Sequence, residues 1–150
     1  MSRFLATFVL ALGLLAPSAP ATAAAPERST FQIDDVFPFD VCPFPMTAHV
    51  VGKNHGITFF DASGNATRGF LGGQLFITFT RDDTGFSRRF TLSGPTFFDA
   101  KGTAVRGTGR WVAGIEDVGY VIASGNLQFD GGLIVSIRGR YQELCDLMSG

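Results

Sequence analysis

Thr58-Phe59-Phe60-Asp61-Ala62-Ser63-Gly64-Asn65-Ala66-Thr67-Arg68-Gly69 returns 38 residues later as Thr96-Phe97-Phe98-Asp99-Ala100-Lys101-Gly102-Thr103-Ala104-Val105-Arg106-Gly107, with nine of the twelve pairs identical. Recurrence at such a period marks one supersecondary unit used twice. In each copy aromatic residues lead into Asp and Gly, and the chain then runs on to Arg-Gly. That is the order of a strand end, a tight turn and a return strand, so each copy reads as a β-hairpin. The shared residues are turn chemistry: Asp can bond back to its own backbone, and Gly supplies positive φ.

Similar punctuation lies on either side, at Lys53-Asn54-His55-Gly56, Arg81-Asp82-Asp83-Thr84-Gly85, Glu116-Asp117 and Asp130-Gly131-Gly132. Each is read as a hairpin tip. The strands expected between them fall near 46–52, 57–61, 66–71, 74–80, 86–93, 95–99, 103–113, 118–129 and 133–141. Helical periodicity is absent from this region. Alternation assigns faces: Leu75, Ile77 and Phe79 oppose Gln74, Thr78 and Thr80, and Leu133, Val135 and Ile137 oppose Ser136 and Arg138. From 105 to 113, Val105, Gly107, Gly109, Trp111 and Ala113 share one face, while Arg106, Thr108 and Arg110 share the other. Glycines on an inward face let a strand bend as barrel closure requires. The expected fold is therefore all-β, an antiparallel up-and-down β-barrel of about eight strands, favoured over a β-sandwich because sequential hairpins need no Greek-key crossover.

The chain opens Met1-Ser2-Arg3, continues with an apolar stretch over 4–15, and then turns to small residues through Ala21-Thr22-Ala23. One positive charge, a dozen apolar residues and an A-x-A site form the three-part pattern of a cleavable secretory signal, here residues 1–23. The apolar stretch is short of the ~20 residues needed to span a membrane, against the reading of an uncleaved anchor. The expected organisation is signal peptide 1–23, an extended N-terminal leader 24–41 and a single β-barrel domain 42–150, with an extracellular destination. The leader carries Phe31, Ile33, Val36, Phe37 and Phe39 among acidic residues, and reads either as an arm packed over the barrel or as a tether.

Cleavage removes Arg3 and no acid, leaving eleven of the twelve basic residues against thirteen acidic ones, a net charge of −2 with His neutral. That balance disfavours nucleic acid and anionic membrane as bulk partners, both of which reward positive excess. The two cysteines, Cys42 and Cys145, stand 103 residues apart. In an exported chain an even count at the two ends of a domain reads as one disulfide, with two buried free thiols as the alternative. It is expected to join the first strand to the last.

The stretch from Cys42-Pro43-Phe44-Pro45 through the Gly-rich strands to Cys145 resembles a group of secreted β-proteins of high-GC Gram-positive bacteria, a resemblance that implies no activity. A second, looser one connects Gly107-Thr108-Gly109-Arg110, Asn126-Leu127-Gln128-Phe129-Asp130-Gly131-Gly132 and Ile137-Arg138-Gly139-Arg140 with the allene oxide cyclase and dirigent barrels. It implies an eight-stranded barrel with an interior cavity and a cyclase or isomerase kind of chemistry. The polar interior residues of those families find no match in this chain.

No G-x-S-x-G elbow, H-E-x-x-H helix, phosphate-binding loop or paired C-x-x-C occurs. His49, His55 and Asp61 are the sole metal-ligand candidates near one another, and a turn and an outward strand face account for the histidines. Asp61-Ala62-Ser63-Gly64-Asn65 has the alternating oxygens of a calcium loop, but its Gly comes too early and Gly72 stands where the closing Glu belongs. No catalytic residue, metal or cofactor is assigned.

Sixteen phenylalanines, two of them in the signal, supply a core and in a small barrel also the lining of an apolar cavity. Phe79, Arg88, Phe90, Trp111 and Phe129 are the candidate lining, with Arg88 on an apolar face and at its rim or paired within. Arg106, Arg110, Arg138 and Arg140 form a candidate surface stripe for an anionic partner. The expectation is a non-catalytic binder of a small apolar ligand or of an extracellular or cell-wall partner. A cyclase-like enzyme and a cell-envelope interaction protein are the alternatives.

Overall fold

The computed structural model describes residues 25–150; the signal peptide expected over 1–23 lies outside them. Eight strands and one short helix form: β1 (Glu27–Pro38), β2 (Met46–Phe60), β3 (Ala66–Arg81), β4 (Ser87–Ser93), β5 (Thr96–Phe98), β6 (Ala104–Ile115), β7 (Gly119–Asp130), β8 (Leu133–Glu143) and α1 (Leu144–Leu147). Pairing follows the order β1-β2-β3-β4-β6-β7-β8, with β5 beside β3 and β6. The chain is thus all-β with a closed antiparallel barrel. The ring consists of four strands, because β3 and β6 each pair with both β4 and β5. β4 and β5 are two pieces of one line, interrupted at Gly94-Pro95, where proline removes a ladder donor. β1 and β2 extend the ring on one side, and β7 and β8 on the other. First and last strands are not neighbours: β1 pairs with β2 alone, while β8 pairs with β7 and, through Leu133 and Ile134, runs parallel to the end of β6.

The repeat is a self-contained hairpin tip. In the first copy the Asp61 carboxylate accepts from the backbone N–H groups of Ser63 and Asn65, each at 2.9 Å. In the second, Asp99 accepts from Lys101 at 2.8 Å and Thr103 at 2.9 Å. Gly64 and Gly102 occupy the left-handed region with φ of 82° and 78°. The register slips at Phe59/Phe60 and again at Phe97/Phe98, and the Arg68 guanidinium stacks over Phe59 as Arg106 does over Phe97, at 4.6 and 4.4 Å. The two units lie side by side in the sheet, Gly69, Phe70 and Leu71 facing Phe98, Phe97 and Thr96. Identity between the copies therefore falls on capping, turn, bulge and stacking residues. Hydrogen bonds from the Asn65 backbone and side chain hold the Asp61 carboxyl below its ordinary 3.8. With the folded value depressed, the contribution of this turn to stability is present above the unfolded value and is lost as pH falls through the folded one. A carboxyl-carbon NMR titration is expected to give Asp61 a midpoint below 3.8; a midpoint at or above it contradicts this account of the turn.

A row of glycines crosses the sheet at mid-height. Gly109 pairs with Gly125 and Gly125 with Gly139. The registers Gln74 to Ser93 and Ser93 to Arg110 carry the same row through Gly94 to Gly73. At Gly94 and Gly109, with φ of 119° and 97°, a Cβ on either would collide with the carbonyl oxygen of Thr108 or Ser93 on the facing strand. The backbones touch there, and the sheet bends along that line.

Above the bend lies the larger core: Met46, Ala48, Ile77, Phe79, Ile122, Leu144 and Met148 are buried, with Phe39, Phe44, Phe90, Leu92 and Val112 against them. Val121, Ala123, Leu127 and Ile134 make a second core with Trp111 and Phe129. Since Ile122 belongs to the first and its neighbours Val121 and Ala123 to the second, the upper part of β6 and β7 separates the two. Cys42 and Cys145 are joined with Cα atoms 5.5 Å apart. The bond ties the 39–45 loop to α1, not strand to strand as expected, because β1 precedes Cys42 and the chain turns helical after β8. Arg81 adds a non-covalent tie nearby: it pairs with Asp83 at 2.7 Å, stacks over Phe44 and reaches the carbonyls of Met148 and Ser149.

Three further expectations change. Residues 53–56, read as a hairpin tip, run straight through β2, and Gly72 and Gly73 run through β3. Part of the 24–41 leader is β1, which pairs along β2 from Glu27 against Thr58 to Pro38 against Thr47. The alternation Leu133, Val135, Ile137 breaks because Phe129 faces Ile134 while Gln128 faces Ser136. Val135 is the extra residue of that bulge and is 61% exposed, and Ile134 takes the core position.

Candidate functional site

Below the bend, β1, β2, β3 and β5 present a face that nothing covers. By register Ser29, Gly56 and Leu71 lie in one row and Phe31, Asn54 and Gly73 in the next. All of these but Gly73, together with Ile33, Thr58, Gly69 and Phe98, and with the second hairpin tip at Asp99, Ala100 and Gly102 as a wall, line a groove of about 620 Å³. Its side chains are chiefly apolar. Phe31, on the edge strand, is 48% exposed and so is available to a ligand. Gly56 keeps the floor low: a Cβ there would press on Ser29 Oγ at 2.6 Å. Asn54, 9% exposed, lies beside Gly73 on this floor, and Gln32 brings a second amide to the lining.

Arg68 and Asp99 are the ionisable residues of the lining, and both are engaged. Arg68 lies over Phe59, and Asp99 caps its own turn. The groove therefore offers apolar contact area together with the amides of Gln32 and Asn54 and the hydroxyls of Ser29 and Thr58. His49 Nε2–H donates to Asp34 Oδ1 at 2.8 Å, and His55 Nδ1 shares a hydrogen bond of 3.1 Å with Thr30 Oγ1. Both histidines join β1 to β2, and neither meets Asp61. Among the described residues no three His, Cys, Asp or Glu side chains come together.

The residues expected to line a cavity do not converge. Phe79 and Phe90, with ring centroids 6.1 Å apart, belong to the upper core. Trp111 and Phe129 belong to the other, on the far side of β6 and β7. Arg88 is exposed at the rim, near Tyr141, Glu143 and Asp146. Shared strand parity had grouped them, but the bend lets β4 and β6 meet only at Ser93 and Arg110, so equal parity on the two strands leads into different cores. The groove itself went unread because half its wall comes from β1 and its floor from the glycine-bearing stretches of β2 and β3.

The four arginines of the expected stripe do share a face. Arg106, Thr108 and Arg110 on β6 face Gln128, Asn126 and Ser124 on β7, which face Ser136, Arg138 and Arg140 on β8. Arg106 is taken up by Phe97, as Arg68 is by Phe59. No described helix is long and apolar enough to cross a membrane. No family model, no curated protein and no solved structure matches this chain. The likenesses to secreted β-proteins and to cyclase barrels thus rest on the residues quoted for them alone.

Proposed function

We propose that this is an exported protein that binds, without transforming it, a small and mainly apolar ligand bearing one hydrogen-bonding group. The single observation that carries the reading is the groove itself, about 620 Å³ and chiefly apolar, with the Asn54 amide, 9% exposed, on its floor. Ligand sites combine such volume, an apolar lining and a few placed polar groups. An amide placed on an apolar floor can both donate to and accept from a ligand hydroxyl or carbonyl. The disulfide between Cys42 and Cys145 supports an oxidising compartment. Engagement of Arg68 and Asp99 elsewhere favours binding over a cyclase-like reaction.

Titration of the full disulfide-bonded chain with the neutral fluorophore phenylnaphthylamine is expected to saturate at one equivalent. Ala100→Trp fills the mouth from the exposed wall and is expected to weaken binding at least about tenfold, with Phe31→Asp acting likewise by placing charge on apolar surface. Equal affinity in wild type and both variants, or no saturable signal, refutes the groove as the site.

A further inference from the structure

The nine positions on the outer face of β6, β7 and β8 hold four arginines and five neutral hydrogen-bonding residues, Thr108, Ser124, Asn126, Gln128 and Ser136. No acid is among them, although all thirteen acidic residues of the protein lie in the described part of the chain, against eleven basic ones. Asp130, at the hairpin tip, is the next acid along β7. Among the described residues the ion pairs are His49 with Asp34 and Arg81 with Asp83, so none of these four arginines has a carboxylate partner. Positive charge has been collected on one face of a protein that is negative overall.

Within this face Arg110 and Arg140 stand on either side of Ser124 in a single row, Arg110 facing Ser124 and Ser124 facing Arg140. Two ladder steps separate their backbones by roughly 10 Å. Arg110 Nε donates to Ser124 Oγ at 3.4 Å, which leaves the outer edge of the guanidinium free. The two arginines, Ser124, Tyr141 and Gln142 line a cleft of about 390 Å³, and Phe90 and Ile122 close its inner end. Tyr141 is 47% exposed. Arg138 follows one row further along β8, beside Asn126.

From this arrangement we infer that the cleft between Arg110 and Arg140 binds an acidic sugar of a carboxylated polysaccharide. Two guanidinium forks suit a carboxylate. Ser124, Gln142, Asn126 and Thr108 offer both donors and acceptors, as sugar hydroxyls require. Arg138, one row on, meets the next charge of a chain laid along β8. A phosphodiester polymer, denser in charge, is disfavoured by the negative net charge of the protein, and neutral hydrogen-bonding groups would be idle against it. This site is separate from the apolar groove, whose lining shares no residue with it.

The test uses the full disulfide-bonded chain on immobilised alginate, on the same polymer with its carboxyls esterified, and on a DNA oligonucleotide of equal charge. Saturable binding to alginate and its loss on esterification are expected. The R110Q/R140Q variant is expected to bind alginate at least about tenfold more weakly, since two charge-assisted contacts are removed. R28Q/K53Q loses the same charge from β1 and β2 and is expected to bind as wild type. Unchanged binding by R110Q/R140Q overturns the site. Equal weakening by R28Q/K53Q, or retention on the esterified polymer, overturns specific recognition, and tighter binding to DNA overturns the sugar. R140Q alone, on the exposed edge strand, decides the matter should the double variant fail to fold, with a loss of about threefold or more expected and wild-type affinity overturning the site.

Discussion

Reduction of the bond between Cys42 and Cys145, or the paired change Cys42→Ser and Cys145→Ser, is expected to lower stability by about 4–5 kcal/mol, on the scale of a cross-link that closes a loop of this length. The sequence separation is 103 residues, so the unfolded chain regains most of its freedom when the bond is absent. The folded state loses more than the cross-link. Cys42 packs against the upper core, and the bond holds α1, which buries Leu144 there and leads into its buried C-cap residue Met148. Equilibrium urea unfolding with and without reductant measures the effect. The midpoint is expected to fall, and the dependence on urea to steepen as the cross-linked unfolded state opens. A loss under about 1 kcal/mol would show that the 39–45 loop and α1 are held without the bond, by Arg81 and its contacts to Phe44, Met148 and Ser149.

Substitution in the glycine row is expected to have the second largest effect. Gly109→Ala places a Cβ against the carbonyl of Ser93 and forces an L side chain to a φ of 97°. Strained φ costs on the order of 1–3 kcal/mol by itself, and the collision is with backbone on the facing strand, which cannot turn aside as a side chain can. The expected loss is about 3–4 kcal/mol, a melting point lower by roughly 10 °C or more for a chain of this size. Gly102→Ala is the control. Its φ of 78° is strained too, but no atom lies within 4 Å of the added carbon. A loss of about 1 kcal/mol is expected there. Equal losses at the two sites would mean that conformational strain, and not the contact of strands at the bend, explains the row.

Turn chemistry was legible in the sequence because it is local. Asp61 and Asp99 cap the residues two and four positions on, and a hairpin tip of that kind can be read from a dozen residues. Glycines inside strands were not legible in the same way. Gly56 and Gly72-Gly73 look like turn glycines from their neighbours, and what makes them strand residues is the partner across the ladder. The same holds for the bend: Gly109 suggested one, but the row through Gly94, Gly125 and Gly139 exists only in the register. β1 was obscured by its charges, Glu27, Arg28, Asp34 and Asp35, which suit an edge strand and resemble a solvated tether. The apolar groove needed β1 in place and so escaped notice, whereas the arginine face was legible because it follows from alternation along single strands. Its loss of Arg106 to Phe97 was not, since that pairing crosses from β6 to β5.

The Cys42–Cys145 bond and the larger core lie at one end of the molecule, and the twin hairpin tips and the groove at the other. Amide exchange with deuterated solvent should consequently be graded along single strands, slow for Ile77 and Phe79 and fast for Ala66 and Thr67 of the same β3. Opening confined to the fast end would widen the space between β1 and the second tip while leaving the stapled end intact. A ligand of the kind proposed would then be admitted by breathing of the soft end, at an opening rate that the chain itself sets.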